Sequence, residues 1–270
     1  MGMYNQLADW DLLDPIAEQL DKGILELSKS GKIRQKQVYF NKPTGPWIHS
    51  QIDERRACYL WLRYYFFTYG IISRNCFNCW KTVCRPDTID QLFAMEQLQK
   101  EMYEKHGYPS KCGIEKRPYG SYKGPYAAFW YNPIDGGLVE ARRRTKVIEK
   151  RVHEEIGDLP VILKRACTEM EEKHGPSNEW VYREDQHLFE DALDDMFEFK
   201  TYPFESVDAV RMHVHKSWIE WGFERGDPTV AKYVDNFPED FGITRTIDYH
   251  KGDPKIASGI VKGGRLGSPT

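Results

Sequence analysis

Three of the six cysteines in this chain fall within "RNCFNCWKTVCRP", residues 74 to 86. Thiolates are soft ligands, and Cys76 and Cys79 stand at the C-x-x-C spacing that lets two sulfurs share one ion. A tetrahedron of four thiolates suits zinc or an iron–sulfur cluster, so the pair needs two further ligands. The expected centre is Cys76, Cys79, Cys112 and Cys167, with Cys58 and Cys84 as packing residues. In the competing reading all six are small buried hydrophobes. The enzymatic alternative is a redox enzyme or electron-transfer subunit using the Cys76/Cys79 pair or a cluster.

A second stretch, "KRPYGSYKGPYAAFWYN" (residues 116 to 132), interleaves cations with aromatic rings and leads to Arg142, Arg143 and Arg144. Rings stack on unpaired bases and cations meet phosphates, so Tyr122, Tyr126, Trp130 and the three arginines form a candidate surface for single-stranded nucleic acid. Its centre, "KGPYAAFWY", is loosely similar to the sheet motif of RNA-recognition domains, with Ala128 where a stacking aromatic is expected. The plainer reading is a solvated helix face beside core aromatics.

Other constellations are weaker. Glu171 with His174 and Glu184 with His187 have the Glu-x-x-His spacing of carboxylate-bridged metal bundles, but "GPSN" separates them too closely for two long helices. His213 and His215 fall in a segment of helical period and read as a surface pair. The sequence has no phosphate-binding G-x-x-x-x-G-K-[ST] loop, G-x-G-x-x-G turn, G-x-S-x-G elbow or H-E-x-x-H.

The elements that must position these residues follow from periodicity and punctuation. Asp14 and Pro15 open a helix whose apolar face runs through Ile16, Leu20, Ile24 and Leu27 to Gly31. "FNKPTGPWIHS" (residues 40 to 50) is punctuated as a loop, and residues 51 to 69 read as an aromatic-rich helix. Strand-like "CWKTVCR" precedes a helix opening at Asp87 or Thr88 and closing at Gly107. "KCGIEKRPY" and "PYAAFWYN" form a hairpin, a second helix carries Ala141, Ile148, Val152 and Ile156, and "VILKRAC" is a last strand. The order is β-α-β-β-α-β.

This predicts an α+β fold, a ferredoxin-like centre with additional N- and C-terminal helices. With strands in the order four, one, three, two, the starts of the first two strands and the end of the fourth share one sheet edge. Cys79, Cys112 and Cys167 then gather at that edge, and Cys84 lies roughly 16 Å away at the other end. The divisions are a helical layer over 1–73, the α+β core over 74–168, a helical region over 169–249 and an extended or disordered tail over 250–270.

Lys plus Arg number 38 against 41 Asp plus Glu in 270 residues, a balance that argues neither for a general polyanion binder nor for a disordered acidic chain. Locally the charge is uneven: residues 111 to 151 hold ten basic and four acidic side chains, residues 168 to 200 three basic and eleven acidic. Residues 57 to 72 are the most apolar run, but they include Arg63 and are short for a membrane span. Acidic residues interrupt the first fifteen positions before any signal-like apolar run. The expectation is a cytoplasmic binding or assembly module, with single-stranded nucleic acid or a protein complex as partner and no membrane.

Overall fold

A computed structural model describes residues 13–35, 46–50, 65–115, 125–133, 135–183, 185–198 and 208–234. The centre is mixed α and β. Strand β4 (Trp80–Cys84) leads to α3 (Ile89–His106), then β5 (Ser110–Ile114), β6 (Tyr126–Tyr131), α4 (Gly137–Glu155) and β7 (Val161–Arg165). Thr88 caps α3 through Gln91 in a reciprocal capping box, and Gly107 at φ +65° ends it. These local signals have the expected effect because they act within one turn of chain.

The sheet differs from the expected four strands. Its order is β3-β5-β6-β4-β7, every pair antiparallel, with β3 (Trp47–His49) added beside β5. The expected loop at 40 to 50 thus ends in a strand, and three residues are too few to show a period of two. Gly113 makes the addition feasible: a Cβ there would stand 2.0 Å from the Pro46 carbonyl oxygen. Any side chain at 113 would push β3 away.

One face of the sheet is covered by helices. Ile48, Cys112, Ala128 and Cys84 form a continuous row across four strands, and pack with Leu92, Met95 and Leu98 of α3 and Ile148 and Val152 of α4. Helix α7 (Asp208–Arg225) extends this cover over β3, where Val214 and Trp218 join the same core and the Trp218 indole donates to the Pro46 carbonyl at 2.7 Å. Buried Glu96 of α3 accepts from Arg211 and His215 of α7, each at 2.6 Å. Just beyond α7, Asp227 accepts from the Ile89 amide at 2.5 Å and the Tyr126 hydroxyl at 3.0 Å. A carboxylate from the C-terminal part thus caps α3 at its positive end.

A smaller body packs beside this one. Helix α1 (Asp14–Asp21) stops before Gly23, which takes φ +65°, and the chain turns into a hairpin of β1 (Leu25–Leu27) and β2 (Ile33–Gln35). The long first helix expected from the sequence is therefore broken: Leu25 is buried and Leu27 exposed, the reverse of a helical stripe through Leu27. Ile16, Leu25 and Ile33 pack with Tyr65, Ile71 and Leu193. Of the expected helix at 51–69, residues 51–64 lie outside the described residues, and Phe67–Tyr69 is a single turn. Helix α6 (Gln186–Met196) supplies Leu193 to this body, while α2 (Arg74–Phe77) and α5 (Thr168–His174) supply Cys76 and Met170 to a third apolar cluster. Glu190 of α6, buried, accepts the Arg74 amide at 3.0 Å and the Ser73 hydroxyl at 3.3 Å. Burial pushes its carboxyl up, against the bonds from Gln186 and Arg74. Among the described residues no helix is long and apolar enough to cross a membrane.

Candidate nucleic-acid interface

Side chains alternate along a strand, so the face away from the helices follows from the register. Its middle row reads His49, Lys111, Phe129, Val83 and Ile162 across all five strands. A second row joins Tyr131, Lys81 and Lys164, and a third joins Trp47, Gly113 and Ala127. Three aromatic rings, four cationic or titratable side chains and two small residues therefore share one surface. Val83 and Ala127 are buried as its floor, whereas Trp47, Phe129, Tyr131, Lys81 and Lys111 keep part of their surface in solvent.

The rings and cations on this face touch. Trp47 and Phe129 lie with centroids 5.7 Å apart at 59°, and the Lys111 ammonium stands 4.2 Å from the first and 5.3 Å from the second. Gly113, lying between Trp47 and Ala127 in the register, leaves room for that approach. In the row next to Lys111 and Phe129, Lys81 stands 5.7 Å from the Tyr131 ring. All three distances are within the range of cation–π attraction, so ammonium groups are held beside flat rings. Burial, and then Lys111, lower the His49 imidazole to about 4, which keeps it neutral near pH 7. Lys164 is buried; burial lowers its ammonium, and Glu171 at 3.2 Å partly offsets this.

The structure moves most of the predicted stacking set elsewhere. Tyr126 and Trp130 are 0 % and 1 % exposed and point into the helix-covered core. Burial, with Asp227 beside it, pushes the Tyr126 hydroxyl well above its ordinary range. Tyr122 lies outside the described residues. Arg142 and Arg143 are exposed on α4, Arg143 paired with Glu140, while Arg144 lies 4.6 Å over the Tyr108 ring and also bonds Glu140. Helix α4 packs on the opposite side of the sheet from Phe129 and Tyr131, so these arginines do not extend the aromatic surface. The physical reason for the misplacement is phase. Shifting the reading of β6 by one residue exchanges Tyr126, Ala128 and Trp130 for Ala127, Phe129 and Tyr131. Ala128, which stood out as a gap in the stacking pattern, lies in the core row, and this was the signal for the other phase.

The cysteines divide as well. Cys76 and Cys167 share an apolar cluster with Phe66, Ile72, Ala166 and Met170, and the Cys79 carbonyl accepts the Ala166 amide at 2.7 Å. Cys76, Cys79 and Cys167 therefore stay at one end of the sheet. Cys112 does not join them. It pairs with Ala128, which pairs in turn with Cys84, so Cys112 is level with the cysteine expected at the far end. Two strand spacings and five residues separate its Cα from that of Cys79 by roughly 19 Å, whereas sulfurs on one zinc lie within ~4 Å of each other. The cause is the strand boundary: β5 is Ser110–Ile114, which puts Cys112 at its middle rather than its start. Burial pushes the Cys112 thiol well up, and the Cys84 thiol up to about 12, as expected of packing residues. Cys58 lies outside the described residues, the other five cysteines form no disulfide, and no group of three or more His, Cys, Asp or Glu among the described residues is placed to hold a metal ion.

Sequence reasoning missed Trp47, Lys111, Phe129 and Tyr131. Compared with known proteins, the chain matches no family model, no curated protein and no solved structure.

Proposed function

We propose that this protein is a binding module for single-stranded nucleic acid, and that the face of its sheet opposite α3, α4 and α7 is the platform. The reading takes the centre as a ferredoxin-like arrangement, β7-β4-β6-β5, extended by β3. What supports it is one observation: Trp47, Phe129 and Tyr131 lie on the same face with the Lys111 and Lys81 ammonium groups against their rings. Unstacked bases gain by covering flat apolar rings, and the adjoining cations neutralise phosphates without reading sequence. The platform is therefore sequence-tolerant. Residues 116–124, which join its strands β5 and β6 and carry Lys116, Arg117 and Lys123, supply further cations close by in the chain.

The test is anisotropy of labelled single-stranded RNA and DNA oligonucleotides against the whole protein. Binding that weakens with salt, and weakens by about fivefold to a hundredfold in each of Trp47→Ala, Phe129→Ala and Tyr131→Ala, is the expected result. Equal affinity in all three variants, or no binding to either polymer at low salt, ends the proposal.

The zinc or iron–sulfur reading keeps only the placement of Cys76, Cys79 and Cys167 at one end of the sheet, where the three do not themselves form a metal-holding group, and it needs a ligand other than Cys112. Elemental analysis with a visible spectrum tests it. About one zinc per chain, or absorbance near 400 nm with iron, supports a thiolate centre there. Loss of that metal in a Cys112→Ser variant would reverse the placement argued above.

A further inference from the structure

Lys81 and Cys167 meet at the end of the sheet where β7 turns into α5. The Lys81 ammonium stands 3.4 Å from the Cys167 sulfur, and both side chains are part-exposed. The turn that carries the cysteine is fixed on strand β4: the Ala166 amide donates to the Cys79 carbonyl, and Ala166 takes the left-handed φ of +49°. A second lysine on the same row has its own partners. Lys164, opposite Lys81 in register, is held by Glu171 at 3.2 Å and Thr168 at 3.1 Å. An amine and a thiol are thus side by side, accessible, and borne on segments tied together by backbone hydrogen bonds.

We propose that Cys167 and Lys81 form a sulfenamide cross-link when the protein meets a hydroperoxide, and that thiols reverse it. In the first step the sulfur attacks the outer peroxide oxygen. The O–O bond breaks, the sulfur becomes a sulfenic acid, and the peroxide is reduced to water, or to an alcohol where it is organic. In the second step Lys81, having lost its ammonium proton to solvent, attacks that sulfur through nitrogen. The N–S bond forms, the S–O bond breaks, and the departing hydroxide takes one of the two amine protons as water, leaving the other on nitrogen. The pair is oxidised by two electrons in total. A reducing thiol then attacks the sulfur, releases the amine and leaves a mixed disulfide, which a second thiol resolves. The link would join β4 covalently to the β7–α5 turn, and it does not depend on what the sheet binds.

The test treats the whole protein with hydrogen peroxide, digests it without reductant and weighs the peptides. The expected product joins the peptides of Lys81 and Cys167 and is lighter than their sum by two hydrogen atoms. Trypsin no longer cuts after Lys81, and dithiothreitol restores the separate peptides. Cys167→Ser and Lys81→Arg, the latter keeping the charge without a nucleophilic amine, both lose the product. Cys167 recovered as sulfinic acid or as a disulfide with cleavage at Lys81 intact overturns the proposal, as does a link to Lys164.

Discussion

The two faces of the central sheet are built from the same strands yet differ in what their neighbours do. On the helix-covered face, Tyr126 and Trp130 are enclosed by α3, α4 and α7, and the Tyr126 hydroxyl is held by Asp227. On the other, Phe129 and Tyr131 lie one residue away in sequence and have lysine ammonium groups at their rings and part of their surface in water. The contrast teaches that aromatic residues in one run of six can be divided in alternation between an enclosed core and a part-exposed face. The largest test of it is a pair of adjacent substitutions. Trp130→Ala removes a side chain that is 1 % exposed and is expected to cost about 3–5 kcal/mol of unfolding free energy. Phe129→Ala, on a half-buried ring, should cost about 1–2 kcal/mol. Chemical denaturation of both variants measures the difference, and equal losses would erase the distinction between the faces.

The next effect depends on pH and concerns the edge of the open face. His49 is lowered by burial and by Lys111 from 6.5 to about 4, so between those values the unfolded chain binds more protons than the folded one. Stability is therefore fullest above pH 6.5, falls as pH drops through that window, and levels off below about 4. At 1.36 kcal/mol per unit the whole loss is about 3 kcal/mol. His49→Gln, which cannot take up the proton, should be flatter than the native protein across this interval by that amount. Parallel curves for the two proteins would show that the imidazole is solvated and that the β3 edge is open.

How far the molecule could be read in advance depends on the range of the signal. Helix α3 was legible because Thr88, Gln91 and Gly107 act within a turn, and α4 because Ala141, Ile148 and Val152 repeat at helical spacing and are the residues buried. The α+β class followed from these. Strand β3 was not legible, since its place is set by Gly113 and Trp218, which lie 60 and more residues away. The predicted cysteine centre failed on the same kind of information: a shift of the β5 boundary by a few residues moved Cys112 from the strand's end to its middle. The stacking set failed on phase, which a two-residue period leaves open when both faces carry aromatics.

The smallest predicted effects separate the faces by charge. Lys111 lies between two rings of the proposed platform, so Lys111→Gln should weaken oligonucleotide binding modestly and reduce the slope of log affinity against log salt by about one. Arg142 and Arg143 carry as much formal charge and are more exposed, but they project from α4 on the other side of the sheet, and Arg143 is already paired with Glu140. The double variant Arg142→Gln, Arg143→Gln should therefore leave the salt slope unchanged and the affinity within about twofold, since only screened, longer-range attraction is lost. A slope that falls with the arginines and not with Lys111 would transfer the phosphate path to the helix face. The aromatic contacts of Lys111 would then be packing, and the open face would need another occupant.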